Sequence, residues 1–331
     1  MSLPEYNDPW LAPQPDMLPD FIIAGAMKAG TSSIHQLLQR HPDISIPEDE
    51  VHFFDLDDPM EHPDFGNPAI GVSPGVEFVK SPDKFWQWYA TTLRDQVSEA
   101  SIVGEDSTTY LSSRVAFSRI ARQAKPIKLI VCLRQPTLRA YSNYWHMQKT
   151  RRVACSFDTL LQQSPASVLQ RSCYGQQVRD LLNQIPRERV YFVVLESLKT
   201  EYESIAKELC AFVGADPEKL PLAQEHVHSN AGIYPKSLTV QNMINACFPA
   251  QQAVNYHAAM PFADPLPSAL VRLRDLAGRA LSKANRSSTN KAPPMSAATK
   301  AHLDAYFSQE CADVSKITDI DLNRFWFRPT D

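Results

Sequence analysis

The stretch FIIAGAMKAGTSSI (residues 21–34) decides the fold. An apolar run, Phe21 to Ala24, enters a glycine loop, and Ile34, Leu37 and Leu38 recur beyond it at i, i+3, i+4. That spacing predicts a strand, a loop and a helix running from Thr31 to about Arg40. Gly25 and Gly30 stand as far apart as the two glycines of a P-loop, G-x-x-x-x-G-K-[ST], yet Thr31 directly follows Gly30 and the loop's one lysine is Lys28. The backbone N–H groups of such a loop, opening a helix, cradle an anion, and the hydroxyls of Thr31, Ser32 and Ser33 add donors.

A second signal is IKLIVCL (127–133), a long apolar run expected of a strand buried on both faces of a parallel sheet. A metal-dependent P-loop enzyme usually ends a neighbouring strand in an aspartate that helps hold Mg²⁺. Here the run ends in Arg134, which grips an anion and not a metal. Pro136 opens a helix reaching about Lys149. Ser142 on that helix is placed to close on one phosphate together with the Arg134 guanidinium. Two separated anion sites imply a ligand with phosphates at both ends.

FIIAGAMKAGTSSIHQLL resembles the 5'-phosphosulfate loop, and LIVCLRQPTLRAYSNYWH the 3'-phosphate site, of sulfotransferases that use 3'-phosphoadenosine 5'-phosphosulfate. The likeness is to the heparan-sulfate-type and bacterial branch. It continues through EDEVHFFD (48–55), GEDSTTYL (104–111), RSCYGQQVRDLLNQIPRERVYFVVLESL (171–198) and IAKELCAFVGAD (205–216), and weakens past Gly214. The resemblance implies an α/β domain with a P-loop-like parallel sheet flanked by helices, and an enzyme that binds the phosphosulfate donor and releases adenosine 3',5'-bisphosphate without a metal. The expected nucleotide contacts are Gly25, Lys28, Ala29, Gly30, Thr31, Ser32, Ser33, Arg134, Ser142 and Tyr174.

Sulfuryl transfer builds negative charge on the bridging oxygen of the leaving phosphate, so a cation must stand there; Lys28 is placed for it, as is the family's loop lysine. Glu50 matches the family's glutamate base, with His52 as an alternative beside the packed Phe53 and Phe54. His146 follows Ser142 by one helical turn, as in N-sulfating relatives, and would line the leaving-group side. EHVHSN (225–230) reads as a flap with His228 or Asn230 on substrate or nucleotide. His226 and His228 lack a third metal ligand nearby, and DLDDP (55–59) reads as a solvated acidic loop. Heparan-type enzymes commonly carry lysines where this chain has Asp49 and Asp106. Those two reversals favour a neutral or cationic small-molecule, lipid or simple glycan acceptor, sulfated on a hydroxyl or an amine. A P-loop kinase is the competing reading and would need Mg²⁺ and ATP. A non-catalytic nucleotide binder is the third.

The remainder of the 331 residues frames this site. With 44% hydrophobic and 21% charged residues and a formal charge of -4, the chain reads as a globular protein without a nucleic-acid footprint. It has no apolar run of the ~20 residues that span a bilayer, and its N-terminus lacks the basic and apolar regions of a signal peptide, so a cytoplasmic location is expected. Six cysteines without C-x-x-C spacing read as mostly buried thiols. Further strands at about 101–104 and 190–195, alternating with helices, argue a doubly wound sheet with ligand at its carboxyl ends. Residues 1–19 read as an extended arm and 20–331 as one domain, with a Pro-rich, lid-like insertion outside the core at about 55–82. From about 217 to 331 the chain reads as loop-rich and helical, with helices near 237–247, 266–283 and 296–308. The oligomeric state is left open.

Overall fold

The computed structural model describes residues 8–62, 74–94, 102–221, 232–250, 261, 269–289 and 291–327. Within them five strands, β1 (Phe21–Gly25), β2 (Ile44–Ser45), β3 (Ile102–Asp106), β4 (Lys128–Leu133) and β5 (Val190–Val194), form one sheet in the order β2-β3-β1-β4-β5. Every pairing is parallel. The helices are α1 (Thr31–Gln39), α2 (Pro74–Lys80), α3 (Pro82–Arg94), α4 (Ala116–Ala121), α5 (Pro136–Lys149), α6 (Phe157–Gln163), α7 (Ala166–Leu169), α8 (Tyr174–Leu182), α9 (Tyr202–Val213), α10 (Leu238–Cys247), α11 (Ala269–Ala284) and α12 (Ala297–Thr318). None of these helices is long and apolar enough to cross a membrane.

All five residues of β1 are buried, and so are the last five of β4, because helices cover both faces of a parallel sheet. Between β3 and β4 the chain passes from one side of the central β1 to the other, which opens a crevice at the carboxyl ends of β1 and β4. The glycine loop and Arg134 both stand there. Gly25 closes β1 at φ 121°, and a Cβ on it would lie 2.5 Å from the Thr108 carbonyl oxygen, so the turn after β3 can approach only a glycine.

The sequence reading and the structure agree on β1, β4, β5 and the main helices, with three differences. β3 runs on to Asp106, and β2 has two residues, too few to show a period. The last long helix does not stop near 308. Leu303, Phe307, Cys311 and Val314 form one buried stripe along it to Thr318, where Asp319 in the left-handed region (φ 59°) ends it. The third difference corrects the reading of 55–82 as an excursion outside the core: Asp55, Leu56 and Phe78 are 0% exposed. Trp10 stacks on Phe78 with ring centroids 4.0 Å apart, and Phe53 on Tyr89 at 4.3 Å. Prolines erase helical and strand periodicity, but they do not prevent aromatic side chains beside them from packing. DLDDP is likewise no solvated loop, since Asp55 and Asp58 are both buried. Cys132, Cys210 and Cys311 are buried, and all six cysteines are free thiols.

Candidate active site

Between β1 and α1 the loop turns on two left-handed residues, Lys28 at φ 67° and Gly30 at φ 94°. Gly30 caps α1, and a Cβ there would lie 2.5 Å from Leu195 Cδ1. Two arginines from the β4–α5 segment hold the loop by its carbonyls: Arg134 Nη1 donates to Lys28 O at 3.0 Å, and Arg139 Nη1 to Met27 O at 3.4 Å. The Arg134 Nε–H is buried and finds no hydrogen-bond partner among the described residues. Burial pushes this guanidinium's pKa down, with Glu196 opposing. An unsatisfied guanidinium N–H beside a loop that opens a helix fits a phosphate oxygen.

Ser142 lies on α5, half-buried, two turns beyond Arg134. Ala29 is 1% exposed and offers its backbone, Thr31 is buried, and Ser32 and Ser33 are half-buried. Tyr174, expected to touch nucleotide, is buried instead and donates its hydroxyl to the Arg134 carbonyl at 3.0 Å, so it supports the arginine from behind.

Lys28 shares this crevice with other cations. Burial lowers its pKa first, the charges of Lys149 and Arg134 lower it further, and Glu50 opposes them. The His146 pKa is pushed down to about 3, by burial and then by Lys28, so the imidazole is neutral at physiological pH. Glu50 acts on both Lys28 and His146, which puts the three side chains in one electrostatic neighbourhood.

Glu50 begins a hydrogen-bonded chain into the core. Its carboxylate, 37% exposed, accepts from Thr108 Oγ1 at 2.9 Å and lies 3.1 Å from His52 Nε2. His52 is 1% exposed; its Nδ1 lies 2.9 Å from Thr109 Oγ1, which donates to Asp55 Oδ2 at 2.5 Å. Asp55 Oδ1 in turn lies 3.0 Å from His62 Nε2. Because the Thr109 hydroxyl gives its one proton to Asp55, its oxygen accepts from His52 Nδ1–H.

Burial pushes the His52 pKa down, but Glu50, Asp55 and Glu105 outweigh it and the net shift is upward. For Glu50 burial pushes up, and the hydrogen bonds and charge of His52, with Thr108, outweigh it, leaving the carboxyl below its ordinary value. Asp55 behaves alike, with His62 and His52 overcoming burial. The hydrogen bond and charge of His52 thus help to hold the Glu50 carboxyl below its ordinary value. His52, Asp55 and His62 present metal-ligand atoms within 4.8 Å of one another, with Thr109 bridging two of them.

Asp106, expected to face the acceptor, is turned inside. It is 5% exposed, lies 3.2 Å from His35 Nδ1, and burial and then Glu50 raise its pKa to about 6 against the pull of His35. A carboxylate at the end of a central strand meets the first helix, not solvent. Asp49 is exposed. His226, His228 and Asn230 lie outside the described residues.

Three residues that carry the site left little trace in the sequence. Gln135 caps α5, accepting from Leu138 N–H at 2.6 Å, and its Nε2 donates to Asp304 of α12 at 2.8 Å. Glu196 accepts from the Gln135 N–H at 3.0 Å and from Trp326 Nε1 at 2.8 Å, tying the C-terminal region to the crevice. Arg139 is 0% exposed, bonded to Ser172 Oγ at 2.5 Å, and burial pushes its pKa down to about 10. Its signal was an arginine inside a helix otherwise spaced for burial.

The family model described as sulfotransferase domain matches residues 18–245. The heparan sulfate glucosamine 3-O-sulfotransferase 3A1 of Mus musculus is 27% identical over 221 residues, 64% of this chain and 49% of that protein. The 3B1 enzyme of Homo sapiens is 29% identical over 189 residues, 55% of this chain and 42% of that one. The chain thus spans about half the length of the curated relatives it matches. A solved sulfotransferase structure from Alicyclobacillus acidocaldarius shares the fold, with a TM-score of 0.58 at 22% identity over 93% of this chain and 98% of that one. A strand-loop-helix unit with its lysine in mid-loop, held by the strand-end Arg134, sits inside the matched span, and the chain belongs to the sulfotransferase domain family.

Proposed function

We propose that the protein transfers a sulfuryl group from 3'-phosphoadenosine 5'-phosphosulfate to an acceptor hydroxyl. The observation that carries this reading is the pairing of Lys28 and Glu50: a cation on the anion cradle and an ionised base within its field, with a neutral His146 between their influences. The nucleotide supplies an activated S–O bond. The loop 25–33 would hold its 5' end and Arg134 with Ser142 its 3'-phosphate. Glu50 takes the acceptor's proton as the new O–S bond forms. Lys28 balances the charge left on the departing phosphate as the bridging S–O bond breaks. Against a kinase, Arg134 ends the strand where a metal-binding aspartate would be expected, and Thr31 follows Gly30 where a P-loop carries its lysine.

For the acceptor we favour a neutral or cationic small molecule, lipid or simple glycan. The exposed Asp49 supports this choice; Asp106, being buried against His35, does not. An amine remains the alternative nucleophile, since relatives include an N-deacetylase/N-sulfotransferase.

Titration calorimetry with adenosine 3',5'-bisphosphate in the presence of a chelator tests the donor. Micromolar binding is expected. Absence of binding, together with Mg²⁺-dependent binding of ATP, would replace this reading with a kinase.

A further inference from the structure

The helix α11 is turned with its leucines outward. Val271, Asp275, Gly278 and Ser282, at i, i+4, i+7 and i+11, lie along its covered side. That side is locked: Asp275 pairs with Arg151, its carbonyl accepts from Arg151 Nη1 at 3.1 Å, and Ser282 Oγ accepts from Gln241 Nε2 at 3.1 Å. A Cβ on Gly278 would lie 1.7 Å from Arg151 Nη1, so no larger residue permits this contact without displacing the arginine. Leu270, Leu273, Leu276 and Leu281 are left 76%, 64%, 64% and 44% exposed.

At about 100° per residue these leucines, with Ala269, Ala277, Ala280 and Ala284, fall on one side of the helix. Arg272, Arg279 and Lys283 run along one border of that side and Arg274 along the other. The one acidic residue of α11, Asp275, is engaged with Arg151 and Arg279 and leaves the outer face without a carboxylate. On α10, which packs against α11, Val240 and Met243 are also exposed, so six exposed large apolar side chains gather on two adjacent helices. Scattered surface leucines need no explanation, but a clustered apolar face with basic borders does.

We propose that this face docks on an anionic lipid surface, the leucines entering the acyl boundary and Arg272 and Lys283 meeting headgroup phosphates. A sixteen-residue helix with basic borders and no outward acid suits a plane of negative charge. Docking would also tie that surface to the site, because Arg151, which fixes α11, follows two residues after the end of α5, the helix that carries His146. The inference does not rest on sulfuryl transfer.

Co-sedimentation of the full chain with vesicles of phosphatidylcholine, with and without phosphatidylserine, tests it. Binding to the anionic vesicles is expected, falling with added salt. Leu273→Glu and Leu276→Glu should each lower the partition coefficient about tenfold or more. The pair Arg272→Gln with Lys283→Gln should remove the preference for phosphatidylserine. Thermal melting and adenosine 3',5'-bisphosphate binding should be unchanged in these variants, showing an intact fold. The idea is overturned if the folded protein ignores both kinds of vesicle, binds them equally, or keeps its affinity without the leucines. It is also overturned if sedimentation velocity shows a dimer that Leu273→Glu dissolves, since the face would then belong to a second copy.

Discussion

The two sides of the crevice are built by opposite means. On the donor side, the loop proposed to hold the nucleotide is nine consecutive residues from Gly25 to Ser33, and arginines steady it by its carbonyls. On the base side, Glu50, His52, Thr109, Asp55 and His62 meet from two stretches of chain, with carboxylates and imidazoles alternating around the Thr109 hydroxyl. The first design depends on local backbone geometry and tolerates few side-chain demands. The second depends on buried charges that are each tolerable only because the next is present.

The largest expected effect would break the donor side. Lys28→Ala should lower turnover about 10³-fold while adenosine 3',5'-bisphosphate affinity changes by less than about tenfold. Equal losses in calorimetry and in turnover would reduce Lys28 to a binding residue. On the base side, Glu50→Gln should cost roughly 10²-fold in turnover and leave nucleotide affinity intact, as measured with radiolabelled donor.

Next comes the cradle itself: Arg134→Ala should weaken nucleotide binding by about ten- to a hundredfold, and a change under twofold would remove the arginine from the 3'-phosphate site.

The sharper contrast lies in pH. Glu50 must be ionised, and its depressed pKa keeps the acid limb of kcat/KM below the ordinary 4.5. Lys28 must be protonated, and its lowered pKa brings the alkaline limb below 10.5. His52→Gln should move the acid limb up and leave the alkaline limb in place. Melting curves should follow the same pair. The contribution of Glu50 is present above 4.5 and lost as pH falls through its lower folded value. The contribution of His52 is present below 6.5 and lost as pH rises through its higher folded value.

The smallest effect is at Asp106, whose pKa rises from 3.8 to about 6, so that the native state binds the extra proton and loses stability as pH rises across that window. Asp106→Asn should flatten that decline by a few degrees in Tm, read by calorimetry between those pH values. If both proteins decline alike, the burial of Asp106 is not what sets the slope.

By itself the sequence determined the elements whose signal is contiguous: β1, the loop, α1, β4 with Arg134 at its end, and α5 opened by Pro136. A parallel strand buried on both faces must be apolar along its length, and a backbone anion cradle must carry its glycines at fixed spacing, so both can be read from neighbours in the chain. Only the tertiary structure decided which polar residues lie inside. Asp55 and Thr109 meet across 54 positions of chain, Asp106 turns toward His35, Tyr174 stands behind Arg134, and Gln135 reaches Asp304. It likewise decided that α11 turns its leucines out, since an amphipathic period gives two faces but not which one meets the protein. That orientation is set by Gly278 and Asp275 meeting Arg151, a long-range contact that no local period encodes.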